Sequence, residues 1–438
     1  MPRCDRQHLH RGRSRLTQPA RPTPDRPAHA TLAEWRAGWP VVLAAMLGAG
    51  LGPGLYQNLS SLFTPGLEAS FGWSRGAIAT AAGLALGAAV VAPLVGRVAD
   101  RIGVRPVIVV SMLLLGVAYL WLAAMGMNGG RAIWRYQLGV VLLVLALPGT
   151  SSLAYGKLIA ARFRRGRGLA LALGTSGLAL VTLVAAPVIG QVIARSGWRA
   201  GFVALAAGAV VLALPLIVLA LRLRPAEPTL ALSPLVELTG VDAGRARRDR
   251  RFWILVASAW LINAATTGFI TQLVPIGIEL GVEPSRAALL LTSFASSAIA
   301  GRLLVGWLID RLRPQPVAAA FALVSAAAFA LLAFAPGGLG VLLVLVFLAG
   351  LMNGAENDLL PYFAARLFGL RAYAEIYGSA MPIAITGSAI GIIGFGRLHD
   401  MSGGYGAALA LGGAALLLAA VCFLILPERM DDAAAASG

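Results

Sequence analysis

The hydrophobic positions of this chain do not alternate with polar ones; they run on. From residue 39 onward, long apolar stretches are separated by short polar breaks, and about 20 consecutive apolar residues suffice for a helix to cross a bilayer. The stretches lie at 39–62, 77–96, 106–127, 136–160, 168–194 and 200–221. After a longer polar break at 222–251 they resume at 252–276, 286–309, 316–335, 340–363, 372–396 and 404–426. The pattern predicts an all-α membrane protein with twelve transmembrane helices in two six-helix bundles, 39–221 and 252–426, joined by a cytoplasmic linker at 222–251. Residues 1–38 are rich in Arg and Pro, lack apolar periodicity and read as a disordered tail. Residues 427–438 form a second short tail. The apolar run after residue 38 is too long for the core of a signal peptide.

Composition agrees with this reading and narrows it. Hydrophobic residues make up 58% of the 438 positions and charged ones 13%, whereas a soluble domain has about 45–50% and about 25%. The two cysteines, Cys4 and Cys422, lie in a polar tail and an apolar run, so no disulfide scaffold is expected. Lys and Arg outnumber Asp and Glu by 36 to 19. In a soluble protein that excess would point to nucleic acid. Here the basic residues gather in the first tail, the second and fourth interhelical breaks and the central linker. Such a bias marks the cytoplasmic side and places both termini there. The basic cluster at 162–167 falls in one of these breaks, so the expected partner is the lipid bilayer and not nucleic acid. His8, His10 and His29 read as solvated tail residues. With no metal-ligand spacing, phosphate loop or nucleophile elbow, neither a cofactor nor enzymatic activity is expected.

The two halves echo one another. Ala160-Ala161-Arg162-Phe163 is matched by Ala364-Ala365-Arg366-Leu367, and Gly96-Arg97-Val98-Ala99-Asp100-Arg101 by Gly306-Trp307-Leu308-Ile309-Asp310-Arg311. Duplicated halves place a transporter's substrate site at their interface, near the bilayer midplane. The first copy continues through Ile102, Gly103, Val104 and Arg105, and resembles the signature loop of the major facilitator superfamily. The second copy has Arg313 where Gly103 would predict glycine. The resemblance implies a gating role at the inner side for Gly96, Asp100, Arg101, Gly103, Arg105, Gly306, Asp310 and Arg311. Asp100 suits the positive end of a helix dipole.

Within that superfamily the chain most resembles the oxalate/formate antiporter and monocarboxylate transporter group. The residues that carry this are Phe71-Gly72-Trp73-Ser74-Arg75, Gly301-Arg302, Leu367-Phe368-Gly369-Leu370-Arg371 and Ile376-Tyr377-Gly378. The resemblance implies that Arg302 contacts a substrate carboxylate. The group's second cation, a lysine in the eleventh span, has no counterpart between 372 and 396.

Position and chemistry make Arg302 the leading candidate independently. It lies eight residues before Asp310, roughly 12 Å into the membrane at about 1.5 Å per residue. An arginine at that depth costs about 2.5–3.5 kcal/mol on insertion scales unless it meets water or a partner. Its planar fork fits a carboxylate bidentately; a structural ion pair is the competing reading. Glu356 and Asp358 are the acids of the tenth span. Two residues apart on a helix, they point about 200° apart, so they cannot both face one cavity. Asn353 shares the face of Glu356, which makes Glu356 the candidate for the cavity. Both acids are candidates for proton coupling, against a pair with Arg302 or Arg366. Tyr56, Gln57 and Asn58 in the first span, and Asn263, Thr266, Thr267 and Gln272 in the seventh, are candidate substrate contacts, against interhelical hydrogen bonding. Alternating glycines at 48–54, Gly83 with Gly87, and Gly387 with Gly391 predict close helix seams, and Pro53, Pro93 and Pro187 predict kinks. His399-Asp400, at the outer end of the eleventh span, reads as a surface polar pair.

The functional expectation is a monomeric secondary transporter in a bacterial inner membrane. It would move a small organic anion by alternating access, with a proton or a counter-anion as its coupled partner. The competing expectations are a proton-driven exporter of drugs or metabolites, and a non-transporting sensor on a transporter scaffold.

Overall fold

The computed structural model describes residues 27–86, 104–126, 133–150, 155, 158–159, 162–163, 167–222, 240–334, 338–369 and 371–427. Gly96, Asp100, Arg101 and Gly103 of the signature loop lie outside the described residues. The helices are α1 Pro27–Gly50, α2 Pro53–Phe71, α3 Arg75–Ala85, α4 Val104–Ala123, α5 Trp134–Leu145, α6 Leu147–Thr150, α7 Arg167–Ala207 and α8 Leu214–Arg222. After the linker come α9 Ala243–Arg248, α10 Arg250–Glu279, α11 Ala288–Ile309, α12 Pro314–Phe334, α13 Leu339–Phe368, α14 Tyr373–Ser402 and α15 Gly406–Leu424. Among the described residues nine helices are long and apolar enough to cross a membrane. One of them, Ala170–Arg222, is 53 residues long. It turns at Gly197, whose φ of 82° is left-handed backbone that glycine adopts without strain. The stretches predicted at 77–96 and 136–160 are described in part.

The apolar faces point outward as well as inward. Phe334 is 85% exposed, Val211 73% and Leu303 69%. Side chains of this kind, found on most of the long helices, fit a hydrocarbon surround and not water.

Local sequence explains where helices break. The predicted span 39–62 is split at Leu51-Gly52 because Pro53 opens α2 at its first position. Proline lacks the N–H that would bond back into α1, and its fixed φ suits a helix start. α1 itself begins at Pro27, within the stretch read from sequence as a tail. At the linker, Asp242 caps α9 by accepting from the backbone N–H of Gly244 and Arg245 at 2.8 and 3.2 Å. Asp249 caps α10 by accepting from Arg251 N at 2.8 Å.

The helices fall into two bundles. In the first, α7 packs on α1, α2 and α4, and α5 on α3 and α4. In the second, α10 packs on α13, α14 and α15, α11 on α13, and α12 on α13 and α15. The bundles meet where α3 lies on α14, α7 on α11 and α2 on α10. Small residues make the tightest seams. A Cβ at Gly387 or Gly391 of α14 would strike the backbone carbonyls of Trp260 or Ala264 in α10. A Cβ at Gly301 would strike Leu351 O, and one at Gly354 would strike Ala298 O, across the α11–α13 seam. Bringing backbones this close maximises dispersion contact where lipid supplies no hydrophobic drive.

Of the second signature copy, Asp310 caps the C-terminal end of α11 and is exposed. The Arg311 guanidinium lies 4.3 Å from the centroid of the Trp307 ring, and its Nη1 donates to Trp307 O at 3.2 Å. A Cβ at Gly306 would meet nothing. Arg105 is half-buried near the start of α4.

The α10–α14 seam yields a paired prediction. Gly391→Ala forces the helices apart and lowers stability by about 1–3 kcal/mol. Gly394→Ala, three residues along the same helix with nothing within 4 Å of the new methyl, leaves stability equal or up to about 1 kcal/mol higher. Thermal unfolding of the two variants in detergent checks this.

Candidate functional site

A cavity of about 420 Å³ lies between the bundles, within the range of roughly 300–1,000 Å³ typical of small-molecule sites. The first bundle lines it with the α1–α2 break (Ala49, Gly52, Pro53, Gly54), with Gln57 and Asn58 of α2, and with Thr150, Thr175 and Ser176. The second bundle contributes Asn263 and Thr267 of α10, Phe294 and Arg302 of α11, Asn353, Glu356 and Asn357 of α13, and Ser388 of α14. The break in the first helix has a direct consequence here: Gln57 and Asn58 sit on the second turn of the helix that opens at Pro53.

Arg302 lies on the cavity wall and is also paired. Its Nε is 3.2 Å from Asp358 Oδ2, with side-chain exposures of 21% and 41%. Its Nη1 donates across the bundle interface to Thr175 Oγ1 at 3.4 Å. The expected divergence of the two acids is visible: Glu356 lines the cavity and Asp358 turns to Arg302. Glu356 belongs to a hydrogen-bonded chain of neutral groups. Asn263 Nδ2 donates to Glu356 Oε1 at 2.9 Å and also to Ala259 O at 2.9 Å. Ser388 Oγ donates to Asn263 Oδ1 at 3.1 Å, and Ser388 and Thr267 hydroxyls lie 3.2 Å apart. Arg366 donates to Tyr362 Oη at 2.7 Å.

Four of the other predicted contacts, Gln57, Asn58, Asn263 and Thr267, come together on the wall. Tyr56 and Gln272 stand elsewhere. Tyr56 is 4% exposed, and its hydroxyl lies 3.0 Å from that of Tyr136 within an aromatic cluster with Phe63, Tyr119 and Phe202. Gln272 is 2% exposed and accepts from Tyr405 Oη at 2.7 Å. Thr266 is buried and bonds back to Ile262 O at 2.9 Å. Ser388, Thr175 and Ser176 reach the cavity without having been singled out from sequence. A hydroxyl in an apolar helix gives no signal by itself; its partners reveal it.

A second polar cluster closes one end of the bundle interface. The Phe71–Arg75 segment builds it: Gly72 ends α2 at φ 70°, Phe71 and Trp73 stack at 4.4 Å, and Ser74 caps α3. Arg75 Nε then lies 3.0 Å from Glu68 Oε1, and its Nη1 pairs with Glu279. His399 Nε2 is 2.8 Å from Glu279 Oε1 and 3.1 Å from Arg75 Nη1. Asp400 Oδ2 accepts from Ser74 Oγ at 2.6 Å and from Gly76 N at 3.0 Å. Arg397 Nε donates to Thr80 Oγ1 at 3.1 Å. His399-Asp400 is therefore not an isolated surface pair; it joins α14 to α3. Among the described residues, the polar contacts that cross between bundles gather at this end, apart from Arg302 to Thr175.

Comparison with known proteins agrees with this architecture. The chain is 28% identical over 403 residues to monocarboxylate transporter 13 of Bos taurus, covering 89% of each. It is 26% identical over 342 residues to the 3-(3-hydroxy-phenyl)propionate transporter of Escherichia coli, covering 76% of this chain and 80% of that one. Among solved structures it superposes on a D-xylose–proton symporter with a TM-score of 0.71 at 16% identity, over 89% of this chain and 98% of that one. The description of the Major Facilitator Superfamily matches residues 39–383. With two helix bundles meeting around a central cavity and a family match across most of its length, this chain belongs to the major facilitator superfamily and is a membrane transporter.

Proposed function

We propose that the chain carries a small organic anion, with Arg302 as the carboxylate contact, by rocking its bundles around the central cavity. The observation that carries this reading is the Arg302 guanidinium on the wall of a cavity that both bundles line. The printed names of two relatives, a monocarboxylate transporter and a transporter of an aryl-propionate, support an acid as cargo. The charge cluster around Arg75, Glu279, His399 and Asp400 lies at the end that the basic-residue bias assigns to the outside. In the proposed cycle it holds that end shut while the other admits substrate, and both termini stay in the cytoplasm of a bacterial cell.

Charge balance favours proton symport over plain anion binding. Among the described residues around the cavity Arg302 is the cation, while Glu356 and Asp358 supply two carboxyl groups. A substrate carboxylate competes with Asp358 for one guanidinium. Adding it without a proton would leave surplus negative charge in a low-dielectric interior, where like charges repel by several kcal/mol. Uptake of a proton on Asp358 or Glu356 removes that surplus. In this scheme substrate and proton travel together, with Asp358 releasing Arg302 to the cargo.

Arg302→Gln should reduce counterflow of labelled lactate and gluconate in proteoliposomes by about 30-fold or more, because a buried hydrogen-bonded charge contact is worth about 2–5 kcal/mol. Arg302→Lys, which keeps the charge but loses the fork, should fall between wild type and Gln. A Gln variant with wild-type counterflow removes Arg302 from the site.

The acids have a different signature. With Glu356→Gln and Asp358→Asn combined, an anion pulse no longer acidifies the lumen of dye-loaded vesicles, while exchange of labelled for unlabelled anion continues. Acidification at the wild-type rate in the double variant excludes both acids as proton carriers.

A further inference from the structure

The polar groups left over on the cavity wall describe the rest of the cargo. Asn263 has both amide hydrogens committed, to Glu356 and Ala259, and its amide oxygen accepts from Ser388. Gln57 and Asn353 do not: each lines the cavity, one from each bundle, and neither side-chain amide has a hydrogen-bond partner among the described residues. Asn58 and Asn357 use their Nδ2 groups, on Thr182 Oγ1 at 3.1 Å and on Asn353 O at 2.9 Å. Their amide oxygens remain as acceptors. Among the described residues, Phe294 is the aromatic residue on the wall.

In an aqueous cavity, side-chain amides of this kind hydrogen-bond to water. A substrate that displaces the water must replace its hydrogen bonds or lose affinity. A hydroxyl does so in both directions, because it donates and accepts. A methylene chain or an aryl ring leaves the amides dry and unpaired, and sites built to hydrogen-bond a hydroxyl reject analogues that lack it.

We infer that the anion carried here is a hydroxylated carboxylate, a sugar-acid-like molecule whose carboxylate meets Arg302 and whose hydroxyls bridge Gln57 of one bundle and Asn353 of the other. The inference rests on the anion reading above and adds to it the chemistry of the chain behind the carboxylate. It also gives the two amides a mechanical role. A hydroxylated chain that bonds both bundles at once draws them together, whereas a carboxylate alone engages Arg302 on one side.

Thermal stabilisation of the purified full-length chain tests this with three six-carbon probes: D-gluconate, hexanoate and the uncharged sorbitol. Gluconate should half-saturate at a concentration at least about tenfold below hexanoate, and sorbitol should give no response. Gln57→Leu and Asn353→Leu should each narrow the gluconate-to-hexanoate ratio, while Arg302→Gln should remove the response to both acids. Should either leucine variant not fold, the ratio in the intact chain decides. Hexanoate binding as tightly as gluconate overturns the hydroxylated-acid inference and leaves the anion reading standing. Sorbitol binding as tightly as gluconate overturns the anion reading. No response to either acid overturns both.

Discussion

A single guanidinium inside a membrane constrains everything around it. Arg302 would cost about 2.5–3.5 kcal/mol at mid-span if it faced lipid. It faces instead a cavity, an acid 3.2 Å away on the neighbouring helix and a hydroxyl on the opposite bundle. Each contact answers a different demand. Asp358 is the arginine's ion-pair partner, Thr175 ties it to the other bundle, and its own side chain forms part of the cavity wall. The proposed chemistry follows from the imbalance this creates: among the described residues two carboxyl groups share one cation, and in the proposal a third acid joins them together with a proton.

The scaffold makes such a site possible by the way it packs. The α1–α2 break at Gly52-Pro53 forms part of the cavity wall. Behind the wall, the second bundle is drawn tight by glycines that set α14 against the carbonyls of α10 and α11 against those of α13. A rigid wall on these seams holds Glu356, Asn263 and Ser388 in register. At the far end, the cluster of Arg75, Glu279, His399 and Asp400 holds the bundles together by charge-assisted contacts. Such contacts can be broken and remade in water, unlike a packed apolar seam.

Much of this was legible in the residue order, because a bilayer imposes a coarse and strong pattern. Apolar runs marked the chain as a helical membrane protein, and the 200° rule separates Glu356, on the cavity wall, from Asp358, beside Arg302; the first span, by contrast, is split at Gly52-Pro53 and a helix starts at Pro27. What could not be read was which polar residues would find each other. Tyr56 and Gln57 are adjacent, yet one is sealed against Tyr136 and the other faces the cavity. Gln272 has the chemistry of a substrate contact but is spent on Tyr405, which lies 133 positions away. His399 and Asp400 looked like surface residues because their partners, Glu279 and Ser74, are remote in sequence. Pairing across helices depends on rotation and register, and a linear pattern of hydrophobicity does not carry either.

The central claim is that cargo charge is balanced by a proton at the Arg302 cavity. It is tested most directly by separating pH gradient from voltage in proteoliposomes holding the wild-type chain. Anion accumulation should follow an imposed pH gradient and be indifferent to a potassium–valinomycin potential of either sign. Accumulation driven by voltage and unaffected by the pH gradient would contradict it.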